Sequence, residues 1–186
     1  MAKETYSEKI MKDTLKYLWH QNEIKRSQKI DTPQYQPESV DFLVTTNDTR
    51  SHWIEVKESG SGNVGQSRFN EIQLDILGDP DYSDPQSHTY AWVLVRFYDG
   101  ERTRASSSYY EDWFLLPGIF ARETSITLKM CLEDPRSTHL ASYRAKTWLF
   151  GMEQEAGLTT KGNATHGLSG LLAPIIERGV TNHEGR

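Results

Sequence analysis

The sequence predicts an α/β fold in a single domain, a central mixed β-sheet flanked by α-helices, and three observations carry that expectation. Apolar residues recur at helical spacing near the N-terminus. Two short runs rich in β-branched and aromatic residues follow, joined by turn residues. Further on, "TYAWVLVRFY" (Thr89 to Tyr98) is apolar almost throughout, as a strand covered on both faces must be. A length of 186 residues suits one ordinary domain with a real core. Residues 1–186 are read as one unit, with a core over about 4–150 and a C-terminal extension over about 151–186.

From Lys3 to about Gln21, Tyr6, Ile10, Met11, Leu15, Leu18 and Trp19 form one apolar stripe among charged residues, the mark of an amphipathic helix. The loop "KIDTPQYQP", with Pro33 and Pro37, ends any helix and leads into extended chain. Val40 to Thr46 and His52 to Glu58 then read as a β-hairpin across the turn "NDTRS". Pairing Phe42 with Val56 and Val44 with Ile54 puts four apolar side chains on one face. The same register sets Asp41 opposite Lys57 and Leu43 opposite Glu55 on the other face, which is expected to be open.

"SGSGNVGQ" reads as a mobile, glycine-rich loop beside that face. In "SRFNEIQLDILGDP", Phe69, Ile72, Ile76 and Leu77 keep a helical period until Gly78 and Pro80 stop it. After the apolar strand, "DWFLLP" and "SITLKMCL" are further strand candidates. "RSTHLASYRAKTWLFG" (Arg136 to Gly151) is expected to be a helix, and "GLSGLLAPIIERG" a short terminal one.

Composition narrows the functional classes. The net charge of −5 is the wrong sign for a protein that holds a polyanion by counterion release alone. The single cysteine, Cys131, lies in an apolar run and reads as a small core residue in a reducing compartment. No stretch has the apolar length of a signal peptide core or a membrane span, so a cytoplasmic protein is expected, with no membrane partner. The six histidines show no close metal-ligand spacing. Arg102, Arg104, Tyr109 and Tyr110 mix basic and aromatic character as a nucleic-acid surface does, and a solvated loop accounts for them equally well.

What composition leaves unexplained is the acidic residue on one hairpin strand and the Glu55, Val56, Lys57 triplet on the other. A hard divalent cation such as Mg²⁺ prefers oxygen ligands and is commonly held by one or two carboxylates, which Asp41 and Glu55 can supply. Lys57, two residues beyond Glu55, points to the same face. Its ammonium can orient or help deprotonate an attacking water and offset charge growing on a phosphate.

These residues, "PESVD" with Asp41 and "IEVKES" with Glu55 and Lys57, resemble the signature of the PD-(D/E)XK, or restriction-endonuclease-like, nucleases. The match runs from roughly Glu4 to Tyr98 as helix, hairpin, helix, strand; it departs in that Val40, rather than a proline, precedes Asp41. The resemblance implies a restriction-endonuclease-like core in which Asp41, Glu55 and the Val56 carbonyl are metal ligands and Lys57 is the catalytic cation. It implies Mg²⁺ as cofactor, with Mn²⁺ able to substitute. A glutamate from the first helix often joins such sites, and Glu8, or alternatively Glu4, lies at the polar border of the stripe. A polar residue of the next helix often faces the site, which makes Gln66 and Gln73 candidates, although a helix surface or a local hydrogen bond would also explain them.

By size and by the run "VDFLVTTNDTRSHWIEVKES", the chain is similar to the small subunits of heterodimeric type IIS restriction endonucleases. That likeness implies an endodeoxyribonuclease that cuts one strand of double-stranded DNA when joined to a large, DNA-recognising nicking subunit. A Holliday-junction resolvase or a phage or repair nuclease is the alternative within the class. A non-catalytic interaction module, with Glu55 and Lys57 on a merely solvated face, is the alternative outside it.

Overall fold

The computed structural model describes residues 5–30, 39–82, 87–99, 110–141 and 172–177. Helix α1, Tyr6–His20, opens on Thr5, whose hydroxyl accepts the Glu8 backbone N–H. The stripe of Ile10, Met11, Leu15 and Leu18 is buried, whereas Trp19 at the helix end is half exposed and tilts against the His20 ring.

Strand β1, Ile24–Lys29, is not evident as a strand in the sequence. It has one buried residue, Ile24, and otherwise polar or charged ones, because it forms an edge of the sheet. Strands β2, Phe42–Thr46, and β3, Ser51–Ser59, form the expected hairpin, but its register differs by two residues. Phe42 pairs with Ile54 and Val44 with His52. The cause is a tight turn: the Thr46 N–H bonds the Arg50 carbonyl, and Thr49 takes a φ of 71° to close it. A shift of two preserves parity, so Phe42, Val44, Ile54 and Val56 still share one face.

The glycine-rich segment is not a free loop. Strand β4, Asn63–Val64, pairs with β7, Ile126–Thr127, in a second small sheet, and Val64 is fully buried. A 3₁₀ turn at Gln66–Arg68, followed by the buried Phe69, leads to helix α2, Glu71–Leu77, which buries Gln73 and Leu77 and leaves Ile72 exposed. Strand β5, Thr89–Asp99, runs parallel to β3, and β6, Tyr110–Pro117, runs antiparallel to β5.

Helix α3, Ile119–Glu123, follows. The run "SITLKMCL" is mainly helix α4, Leu128–Glu133, and not a strand; the Thr127 hydroxyl caps it, and Cys131 is buried as expected. Burial pushes the Cys131 thiol up to about 12. The helix expected from Arg136 begins instead with strand β8, Thr138–Ala141, joined to β6 by its ladder and by a 2.9 Å hydrogen bond between His139 and Asp112. Residues 142–151 of that stretch lie outside the described residues. The terminal helix is α5, Ala173–Glu177.

Among the described residues the result is a mixed sheet of six strands in the order β1-β2-β3-β5-β6-β8, in which β3 and β5 are the parallel pair. One core joins α1 and the sheet, and Leu172 and Ile175 of the C-terminal extension are part of it. The second core lies on the opposite face, among α2, α3, α4 and β7. No helix among the described residues is long and apolar enough to cross a membrane.

Candidate active site

The site lies where β2 and β3 part. Their ladder ends at Phe42 and Ile54, and one residue earlier Asp41 bonds β3 with its side chain: its Oδ2 accepts the Val56 N–H at 2.7 Å. Ile30 N–H donates to the Asp41 carbonyl at 2.8 Å, so the Asp41 backbone stays fixed to the β1 side. In a strand the N–H and C=O of one residue point the same way. The Val56 carbonyl therefore faces the wedge that Asp41 occupies.

Glu55 and Lys57 project from β3 on the α2 side of the sheet, as parity requires. This face is not open as the hairpin alone suggested. Glu55 is fully buried under α2, and Lys57 keeps about a seventh of its side chain exposed, at 15 %. The Lys57 ammonium pairs with Glu55 Oε1 and lies 5.2 Å from the centre of the Phe69 ring.

Gln73 covers the carboxylate from α2. Its Nε2 donates to the same Glu55 Oε1 at 2.9 Å and to the Ser39 carbonyl at 3.2 Å. The amide orientation is fixed from behind, because Gln73 Oε1 accepts the Asn70 N–H in a capping box while Asn70 Oδ1 accepts the Gln73 N–H. The local hydrogen bond and the site contact, alternatives in the sequence, are thus both made by one side chain. Gln66 is turned away, donating to the Arg122 carbonyl at 2.7 Å.

Glu8 reaches the site from the other face of the sheet. Its carboxylate forms a 3.0 Å ion pair with Lys29 of β1, and both charges act on the Asp41 carboxyl. Lys29 is the site residue that sequence reasoning missed; its signal is only a lysine in a polar strand with no recognisable pattern. Glu4, together with Arg102, Arg104 and Tyr109, lies outside the described residues, and Tyr110 begins β6.

Burial sets the electrostatics. Desolvation, with the neighbouring Asp41 charge adding to it, raises the Glu55 carboxyl to about 8 against the pull of Lys57 and, more weakly, of the Asp41 backbone N–H. Desolvation raises Asp41 to about 6; the Val56 N–H, Lys57 and Lys29 oppose the shift, and Glu8 reinforces it. For both groups to be ionised at neutral pH, more positive charge is needed than Lys57 and Lys29 supply.

Among the described residues, no group of three or more His, Cys, Asp and Glu side chains is placed to hold a metal ion. The oxygen groups brought near one another are the Asp41 and Glu55 carboxyls and, on the side of the strand that Asp41 bonds, the Val56 carbonyl. Glu55 Oε2 is buried and makes no hydrogen bond of ordinary geometry, the Asp41 backbone N–H being the donor near this carboxylate, although Oε1 has two partners. A buried carboxylate oxygen left without a proton donor is costly. A hard cation beside it would satisfy it, so the residues present fit Mg²⁺ or Mn²⁺. No protein-family model matches the chain, and no curated protein does.

Proposed function

We propose that the protein is a Mg²⁺-dependent endodeoxyribonuclease with a restriction-endonuclease-like core, built on Asp41, Glu55 and Lys57. The observation that carries the reading is the unpartnered, buried Glu55 Oε2 beside the Asp41 carboxylate at the splayed end of β2 and β3. A purely structural Glu–Lys pair has no need of a second carboxylate that makes the first costlier to ionise.

In this reading Asp41, Glu55 and the Val56 carbonyl hold the metal. The bound cation supplies positive charge for a phosphodiester oxygen that gains negative charge in the transition state. The remaining roles belong to side chains. Lys57, hydrogen-bonded at the same carboxylate, presents its remaining N–H bonds to an attacking water or to the phosphate, orienting the one or offsetting charge on the other. Gln73 holds Glu55 Oε1 in place, which directs Oε2 to the site. Hydrolysis breaks the P–O3′ bond and leaves a 5′-phosphate and a 3′-hydroxyl.

The finer reading is a small cleavage subunit that cuts one strand of double-stranded DNA beside a large, DNA-recognising nicking subunit. It is supported by the size of the chain, by the hairpin sequence and by the excess of 26 acidic over 21 basic residues, which gives little charge for holding DNA unaided. The test is an add-back assay in Mg²⁺ with extract of the source cell lacking this gene. Purified wild type, but not Lys57→Ala, converts site-specific nicks into double-strand breaks and does nothing alone. Cleavage of a four-way junction by the purified protein alone would transfer the assignment to a resolvase.

A further inference from the structure

The charge of the chain is unevenly distributed. Residues 5–30, which form α1 and β1, contain six lysines and arginines against three acidic residues, the reverse of the excess in the whole chain. Strand β1 alone carries Lys25, Arg26 and Lys29 and no acidic residue. Among the described residues it is an edge strand, and Lys25 and Arg26 are exposed. On α1, Lys12 follows Glu8 by one helical turn, on the flank that overlies β1, and is itself exposed.

This basic strip runs into the site. Lys29 pairs with Glu8 at 3.0 Å, and both act on Asp41. Register places Lys29 on the α1 side of the edge, level with Phe42, and Arg26 on the opposite side, level with Thr45. The charges therefore flank the edge strand on both sides.

The site's charge balance points the same way. Glu8, Asp41 and Glu55 as carboxylates, with Lys29 and Lys57 as ammonium groups, carry one net negative charge. With a divalent cation held by Asp41 and Glu55 the balance would be one net positive charge, the complement of one phosphodiester. Without Lys29 that match disappears.

We propose that the α1–β1 corner, through Lys12, Lys25, Arg26 and Lys29, is a track for the phosphate backbone of DNA that delivers the scissile phosphate to Asp41 and Glu55. The proposal rests on the nuclease reading and names the surface on which its substrate lies. Basic residues on an edge strand also block strand-to-strand aggregation. That role explains Lys25 and Arg26, but not the turn of Lys29 toward Glu8 or the reversal of charge across residues 5–30.

The test is fluorescence anisotropy of a labelled DNA duplex with the full chain, Ca²⁺ replacing Mg²⁺ so that no cleavage intervenes, over a range of salt concentrations that begins low enough for a local basic strip to bind a duplex weakly even on an acidic chain. Taking one basic side chain away from a phosphate lowers the slope of log K against log salt by about 0.9 and weakens binding roughly tenfold at low salt. Lys25→Ala/Arg26→Ala is expected to show about two such decrements and Lys29→Ala about one. Lys129→Ala, removing an exposed lysine on α4, is expected to change neither slope nor affinity.

Failure of the wild type to bind the duplex, wild-type affinity in the β1 variants, or equal weakening by Lys129→Ala would each overturn the track. If the β1 variants bind as wild type while Lys57→Ala abolishes cleavage, the track fails and the nuclease stands. If they lose affinity as expected but the wild type converts no nicks into double-strand breaks in the add-back assay, the nuclease reading fails and a DNA-binding edge remains.

Discussion

Asp41 accepts the Val56 N–H at 2.7 Å, one residue beyond the point where the β2–β3 ladder ends. A side chain thus takes a hydrogen bond that a strand would otherwise make, and the strands part around a carboxylate, a backbone carbonyl and Glu55. Asp41→Asn keeps the size of the side chain but removes its charge. We expect it to lower cleavage by at least a hundredfold in the add-back assay, with the circular dichroism spectrum unchanged; cleavage near the wild-type rate would remove Asp41 from the site.

Glu55 and Asp41 both hold their protons more tightly folded than unfolded, with values of about 8 and about 6 against ordinary values of 4.5 and 3.8. Between those limits the folded state binds more protons than the unfolded one, so the free energy of unfolding falls as pH rises. Metal-free protein should lose unfolding free energy from about pH 5 to about pH 8, on the order of a few kcal/mol, and its Tm should fall accordingly. Glu55→Gln should flatten that slope and melt several degrees higher at pH 8, read by differential scanning fluorimetry in chelator. A Tm that rises over this interval would contradict the burial of the two carboxylates.

Gln73 joins a helix cap to a site carboxylate. Gln73→Glu keeps the acceptor that bonds the Asn70 N–H but replaces the donor to Glu55 with a third carboxylate. Cleavage should fall on the order of tenfold to a hundredfold, and Tm should fall more at pH 8 than at pH 5. Equal loss of Tm at both pH values would limit Gln73 to the cap.

Thr49 closes the hairpin turn at a φ of 71°, where a β-branched residue is strained, and its side chain is exposed. Thr49→Gly is expected to raise stability by ~0.5–1 kcal/mol, a shift of a few degrees in Tm, without changing cleavage. A lower Tm would mean that the side chain stabilises the turn more than its conformation costs.

Periodicity is what the sequence makes legible. Parity on β2 and β3 follows from alternating Phe42, Val44, Ile54 and Val56, and it survives a register error of two because only an odd shift exchanges the faces. Turn closure is not legible, since it depends on one residue adopting a left-handed conformation. Strand β1 is hidden because an edge with one buried residue shows no alternation, and Lys29 is hidden with it. The run "SITLKMCL" is apolar enough for either state, and a cap at Thr127 decides for helix. Glu8 is marked by its place on the border of a helical stripe, and Gln73 admits two readings in the sequence that the structure unites.

The central claim is that Asp41 and Glu55 form a divalent-cation site at the open end of β2 and β3. Calorimetric titration of Mn²⁺ into the full chain at neutral pH, repeated in two buffers of different ionisation enthalpy, tests it without need of a partner. The account predicts one ion per chain, proton release on binding because Glu55 otherwise retains its proton, and loss of both in Asp41→Asn and Glu55→Gln. Absence of binding, or equal binding by both variants, would contradict it.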